Sequence, residues 1–88
     1  MSASLTLDAV LDLRAAGPLR AALLERRGAA LGVDASGVER LGGLCLQVLL
    51  SAQHTWAEDG LAFSIFGRSD GFREATRLLG ASARLGEI

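Results

Sequence analysis

The chain has 88 residues, of which 50% are hydrophobic and 22% charged, and its formal net charge is −1. This length has room for one hydrophobic core, and the composition is too apolar for a disordered chain, so we expect a single folded domain over residues 1–88. The near balance of charge argues against a nucleic-acid partner, and no apolar run approaches the roughly 18–20 residues that span a bilayer.

The first segment of the chain favours short strands. Residues 1–7 lack the positive start and long apolar run of a signal peptide, so we expect a cytoplasmic protein. Leu5 and Leu7 alternate with polar residues, as do Leu11 and Leu13 after Asp8. This pattern predicts a small β-hairpin that turns near Asp8.

A helix and a buried strand are predicted next. Residues 15–28 have helical apolar spacing, with Pro18 near the first turn, where its missing N–H has no intrahelical partner. Residues 29–33 form a short apolar run, which is typical of a buried central strand. Asp34 and Ser36 follow it in the loop that we expect at its carboxyl end.

The strongest helical pattern in the chain predicts the second helix, which ends at the polar residues Glu58 and Asp59 and at Gly60. One apolar stripe follows the helical repeat at Leu41, Leu44, Cys45, Val48, Leu49 and Ala52. Leu46 and Leu50 lie off that stripe and one turn apart, so they are either an exposed apolar pair or covered by a neighbouring helix.

A third buried strand over residues 61–66 and a helix over residues 72–79 complete the pattern, with a helix cap expected within residues 67–70. For the tail, residues 81–88, the sequence leaves two alternatives, an edge strand or a frayed end. Strands that alternate with helices of this length predict an α/β fold with parallel neighbours and crossover helices.

The chain contains few residues that perform catalysis. One Cys and one His cannot complete a structural zinc site alone, and no nucleophile stands beside a base, so we predict no catalytic residue, metal or cofactor. Cys45 on the apolar stripe is interpreted as a small core residue, and His54 as a solvent-facing one. Trp56 either covers the edge of the core or anchors a partner.

Four segments, in this order, carry a resemblance to a known family. They are VLDLRAAGPLRAAL (residues 10–23), GVDASGVERLGGLCLQVLL (residues 32–50), Gly60 before the third strand, and FREATRLLGA (residues 72–81). Together they resemble a STAS domain, the module of anti-sigma-factor antagonists and of sulphate-transporter tails. The resemblance implies one mixed sheet of four to five strands, packed by three α-helices.

The resemblance also implies a phosphorylation-controlled binding partner, with the phosphoacceptor Ser or Thr at the start of the second helix. Gly43 occupies that position here and Gly42 occupies the place of the family's Asp, so the usual acceptor hydroxyl is missing. Ser36 and Ser51 are the alternative phosphoacceptors. The glycine pair before this helix either relaxes a tight loop or holds an anion at the start of the helix, and it matches no nucleotide-binding fingerprint.

We therefore expect a protein-binding module without this switch, whose partner is a switch-type kinase or anti-sigma factor. The partner-binding residues implied are Asp34, Ser36, Arg40, Gly42, Gly43, Leu46 and Leu50. The alternative is a small STAS subunit of a phospholipid-transport ABC complex that docks on the transporter ATPase. The oligomeric state is open.

Overall fold

A computed structural model describes residues 3–80. Its elements alternate between short strands and helices. They are β1 (Ala3–Thr6), β2 (Val10–Leu11), a 3-10 turn (Leu13–Ala15), α1 (Ala16–Glu25), β3 (Leu31–Asp34), β4 (Arg40–Leu41), α2 (Gly43–Glu58), β5 (Phe63–Phe66) and α3 (Asp70–Leu78). The predicted tail lies outside the described residues.

The described strands form two parallel sheets, in place of the single mixed sheet that the resemblance implies. One sheet has the order β1-β3-β5, and β2 pairs with β4 in the other. Ala3 pairs with Leu31 whereas Val10 pairs with Arg40, so the later segment contains two extra residues between its strands. They are accommodated by the turn that follows Asp34.

The predicted hairpin is wrong. β1 pairs with β3 and β2 pairs with β4, so β1 and β2 do not pair with each other, and each partner lies about 30 residues later in the chain. Leu7 and Leu11 are both buried in the core, which explains the apolar spacing that resembled a hairpin. Alternation along a strand reports which face is buried, but it carries no information about which strand is the partner.

The core lies between one face of the three-stranded sheet and the helices α1 and α2. Leu31, Val33 and Ile65 point into it, whereas Ser4 and Ser64 are exposed on the opposite face. α1 and α2 run parallel to each other. Their amino ends meet where Cys45 contacts Asp12, and their carboxyl ends meet at the Arg27–Asp59 ion pair.

Candidate functional site

The candidate site is the edge of the molecule where strands end and helices begin. In a parallel α/β fold the carboxyl ends of the strands meet the amino ends of the helices, and ligands bind along that edge. Backbone hydrogen bonds tie the edge together: Leu7 N–H donates to Asp34, Ala35 N–H to Phe66, and Ser69 N–H to Ala35. The segments after β1, β3 and β5 therefore lie side by side.

Asp34 and Ser36 form the turn that follows β3. The Asp34 carboxylate accepts a hydrogen bond of 2.9 Å from the Ser36 backbone N–H, and this contact lowers the pKa of Asp34. Gly67, at φ 63°, approaches the same turn, and a Cβ there would lie 3.2 Å from the Asp34 carboxylate. Asp34 therefore shapes the turn, while Ser36 stands exposed on it.

The start of α2 carries no polar side chain. Gly42 is the N-cap in an extended conformation, without a side-chain cap hydrogen bond, and its N–H donates to Leu11 at 2.9 Å. A Cβ at Gly42 would approach the Leu11 carbonyl oxygen to 3.3 Å, whereas a Cβ at Gly43 would meet nothing within 4 Å. Gly43 is therefore an exposed, open position that would admit a serine.

The exposed apolar pair expected at Leu46 and Leu50 is wrong. These side chains are only 3% and 8% exposed, so the alternative that they are covered is correct. Leu44, which the predicted stripe placed in the core, is 50% exposed. α2 contacts α1 on one side and β5 on another, and its buried arc keeps Cys45, Leu49 and Ala52 of the predicted stripe but is turned away from Leu44 and towards Leu46 and Leu50.

The two segments that meet at the start of α2 carry three exposed apolar side chains, and we refer to them as the apolar rim: Val10, Leu13 and Leu44. They are 44%, 74% and 50% exposed. The segment from Val10 to Leu13 runs directly against the start of α2, because its Leu11 carbonyl accepts from Gly42 and its Asp12 carbonyl accepts from Cys45. Sequence reasoning missed this rim because β2 and β4 are too short to leave a strand pattern.

Arg40 borders the rim. It pairs with Val10 across the two-stranded sheet, and its side chain is exposed. Its backbone N–H and that of Glu39 both donate to Ala9, at 3.1 and 2.7 Å. These bonds fix the backbone of the loop before α2 against Ala9, the residue before Val10.

Cys45, His54 and Trp56 bring no catalytic group to this edge. Cys45 is fully buried, its thiol donates to the Asp12 carbonyl at 3.2 Å, and burial raises the pKa of that thiol. His54 is exposed on the far half of α2, 3.5 Å from Glu58. Trp56 is 1% exposed, and its indole N–H donates to the Ala29 carbonyl, so it belongs to the core.

The start of α3 completes the edge, and Ser69 confirms the helix cap predicted within residues 67–70. Ser69 caps α3 by accepting from the Phe72 N–H at 3.0 Å, and its hydroxyl donates to the Val38 carbonyl. A Cβ at Gly71 would lie 2.5 Å from the Glu39 carbonyl oxygen. Only a glycine lets α3 approach the loop before α2 this closely, so Gly71 fixes one side of the site.

Two structural features bear on the class of site. Residues 3–80 contain no group of three or more His, Cys, Asp or Glu side chains that could hold a metal ion. Within the same residues, no helix has both the length and the apolar character needed to cross a bilayer.

Comparison with known proteins matches almost the whole chain to one family. Residues 2–87 match the family described as Mlab, STAS domain. No curated protein matches the chain by sequence.

Proposed function

Because the chain belongs to the STAS domain family, we propose that it is a regulatory binding module of the anti-sigma-factor-antagonist type. STAS domains generally mediate protein–protein interaction and are generally not enzymes. In this proposal the partner is a switch-type kinase or anti-sigma factor. It docks on the apolar rim and on the loop from Gly37 to Gly43.

The apolar rim is the observation that carries this proposal. Binding energy in protein interfaces concentrates in a few apolar side chains that become desolvated, ringed by polar groups. Leu13 is 74% exposed and Leu44 is 50% exposed, and the start of α2 carries no polar side chain. Leu44 takes the anchoring role that the sequence suggested for Leu46 and Leu50.

Gly43 has no side-chain hydroxyl, and this supports binding without phosphorylation control at this position. A phosphoserine would add about −1.5 to −2 charges next to the rim, which opposes an apolar contact. Glycine cannot accept a phosphate, so this disruption is removed. Ser36 lies at the same edge and is exposed, whereas Ser51 faces outward about two helical turns along α2.

The same missing hydroxyl favours a second candidate, a permanent STAS subunit of a phospholipid-transport ABC complex. A subunit that stays docked on a transporter ATPase needs no switch at its binding edge. The two candidates share the docking surface and differ in the partner. Identifying a partner that depends on the rim therefore separates them.

Affinity capture with matched variants tests the proposal. Leu44→Asp places a charge on the rim, and Leu78→Asp places the same charge on α3, where Leu78 is 70% exposed. We expect a kinase-type ATPase to be captured by the wild type and by Leu78→Asp but not by Leu44→Asp. Capture of a transporter ATPase with the same dependence would favour the second candidate, and capture that Leu44→Asp leaves unchanged would contradict both.

A further inference from the structure

A second surface lies on the outer side of the helical layer, between α1 and α2. We call it the helix groove. It has a volume of about 370 Å³ and a floor that includes Leu23, Ala52 and Trp56, all three buried. The two helices run parallel and are tied together at both ends, by the Cys45–Asp12 contact and the Arg27–Asp59 ion pair.

The two walls of the groove have different chemistry. Arg20 and Leu24 stand one turn apart on α1, and Leu24 is 47% exposed. On α2, Gln47, Ser51 and Thr55 follow at intervals of four residues, which puts their side chains in one line. One wall therefore presents a cation and an apolar side chain, and the other presents an amide and two hydroxyl groups.

The charge of the groove is positive. Arg20 and Arg27 line it, and no acidic residue does. Arg27 is already engaged by Asp59, whose carboxylate oxygens lie 2.9 and 3.1 Å from its guanidinium. Among residues 3–80, Arg20 has no side-chain partner, so its charge is available to a ligand.

We infer that the helix groove binds an acidic amphipathic helix of a partner protein. The line from Gln47 to Thr55 spans eight residues, or about 12 Å, which matches two turns of a docked helix. Helix-in-groove recognition uses apolar anchors at helical spacing, and the apolar Leu24 and Val48 lie in this groove to receive one. A carboxylate one turn away from that anchor reaches Arg20. This inference stands independently of the rim proposal, since it uses none of the rim side chains.

A synthetic peptide provides the direct test. The probe is an alanine-rich helix of about 18 residues, long enough to be helical. It contains one Leu with a Glu four residues before it and another four residues after it, so a carboxylate faces Arg20 in either orientation. The peptide carries a fluorescent dye, and its fluorescence anisotropy reports binding, because Trp56 in the floor of the groove is only 1% exposed and is a poor reporter.

The variants separate charge recognition from non-specific attraction. We expect Arg20→Gln to weaken binding of the peptide by about 1.4- to 5-fold, the range of an exposed ion pair. Arg77→Gln removes the same charge from α3, where Arg77 pairs with Glu74, and should leave binding unchanged. Leu24→Asp should abolish binding, and it should fold normally because Leu24 is half exposed.

Three results would overturn the inference. The first is no rise in the anisotropy of the labelled peptide up to millimolar protein. The second is equal binding of a control peptide in which both Glu residues are Gln. The third is concentration-dependent sedimentation of the protein alone that Leu24→Asp abolishes, because the groove would then hold a second copy of this chain.

Discussion

The substitution Gly71→Ala tests how α3 is held against the loop that carries the site. Gly71 lies in the first turn of α3, and the added Cβ would lie 2.5 Å from the Glu39 carbonyl oxygen and 2.9 Å from that of Val38. Both contacts are with backbone atoms, which cannot rotate away as a side chain can. The loop or the helix must therefore move.

The expected magnitude follows from two opposing effects. Overpacking of this kind costs about 1–3 kcal/mol. Replacing a glycine by alanine also restricts the unfolded chain and returns about 0.4–1 kcal/mol. Because a Cβ 2.5 Å from a backbone oxygen is a severe overlap, the cost lies in the upper part of its range, about 2–3 kcal/mol. We expect the free energy of unfolding to fall by about 1–2.6 kcal/mol, which lowers Tm by about 4–8 °C for each kcal/mol in a domain of this size.

Urea denaturation followed by circular dichroism measures this effect, with Gly43→Ala as the matched control. A Cβ at Gly43 meets nothing within 4 Å, and Gly43 is a helical residue, so this variant should be more stable by about 0.4–1 kcal/mol. If Gly71→Ala lowers the free energy of unfolding and Gly43→Ala raises it, the result supports the packing described at the start of α3. A Gly71→Ala protein as stable as the wild type would refute it.

Three further predictions concern the core and the edge. Leu46→Asp and Leu50→Asp should each unfold the domain because they bury a carboxylate without a partner. Leu44→Asp should keep the wild-type circular dichroism spectrum because Leu44 is half exposed. A folded Leu46→Asp protein would contradict the burial of Leu46. Because burial raises the pKa of its thiol, Cys45 should react with a disulfide reagent at pH 8 far more slowly in the folded protein than in urea, and equal rates would contradict this. The pKa of Asp34 is lower in the folded protein than in the unfolded chain, so the stability that Asp34 contributes is present above the unfolded pKa and is lost as the pH falls through the folded pKa. The variant Asp34→Asn should therefore make the loss of stability with falling pH less steep. An unchanged dependence of stability on pH would argue against the Asp34 turn.

Much of the order of elements could be predicted from the sequence. The apolar spacing and the closing glycines predicted three helices, and α2 ends at Glu58 and α3 at Leu78, each within one residue of its prediction. Two of the predicted buried strands correspond to β3 and β5. Local periodicity determines these features, so a single sequence is enough to recognise them.

Pairing and orientation could not be predicted in the same way. Strands β2 and β4 have two residues each, and their partners are about 30 residues away, so no local pattern marks them. The buried arc of α2 depends on both α1 and the sheet, and the apolar side chains of Leu44, Leu46 and Leu50 fit either orientation. The apolar rim therefore became visible only when the fold showed which of these leucines is exposed.

The most direct test of the central claim is binding to the captured kinase partner before and after ATP is added, with intact-mass measurement of the protein. We predict that the wild type stays bound and unmodified, because Gly43 offers no hydroxyl, whereas Gly43→Ser binds, gains one phosphate and is released. A wild-type protein that gains phosphate on Ser36 or Ser51 and dissociates on addition of ATP would contradict binding without a phosphorylation switch.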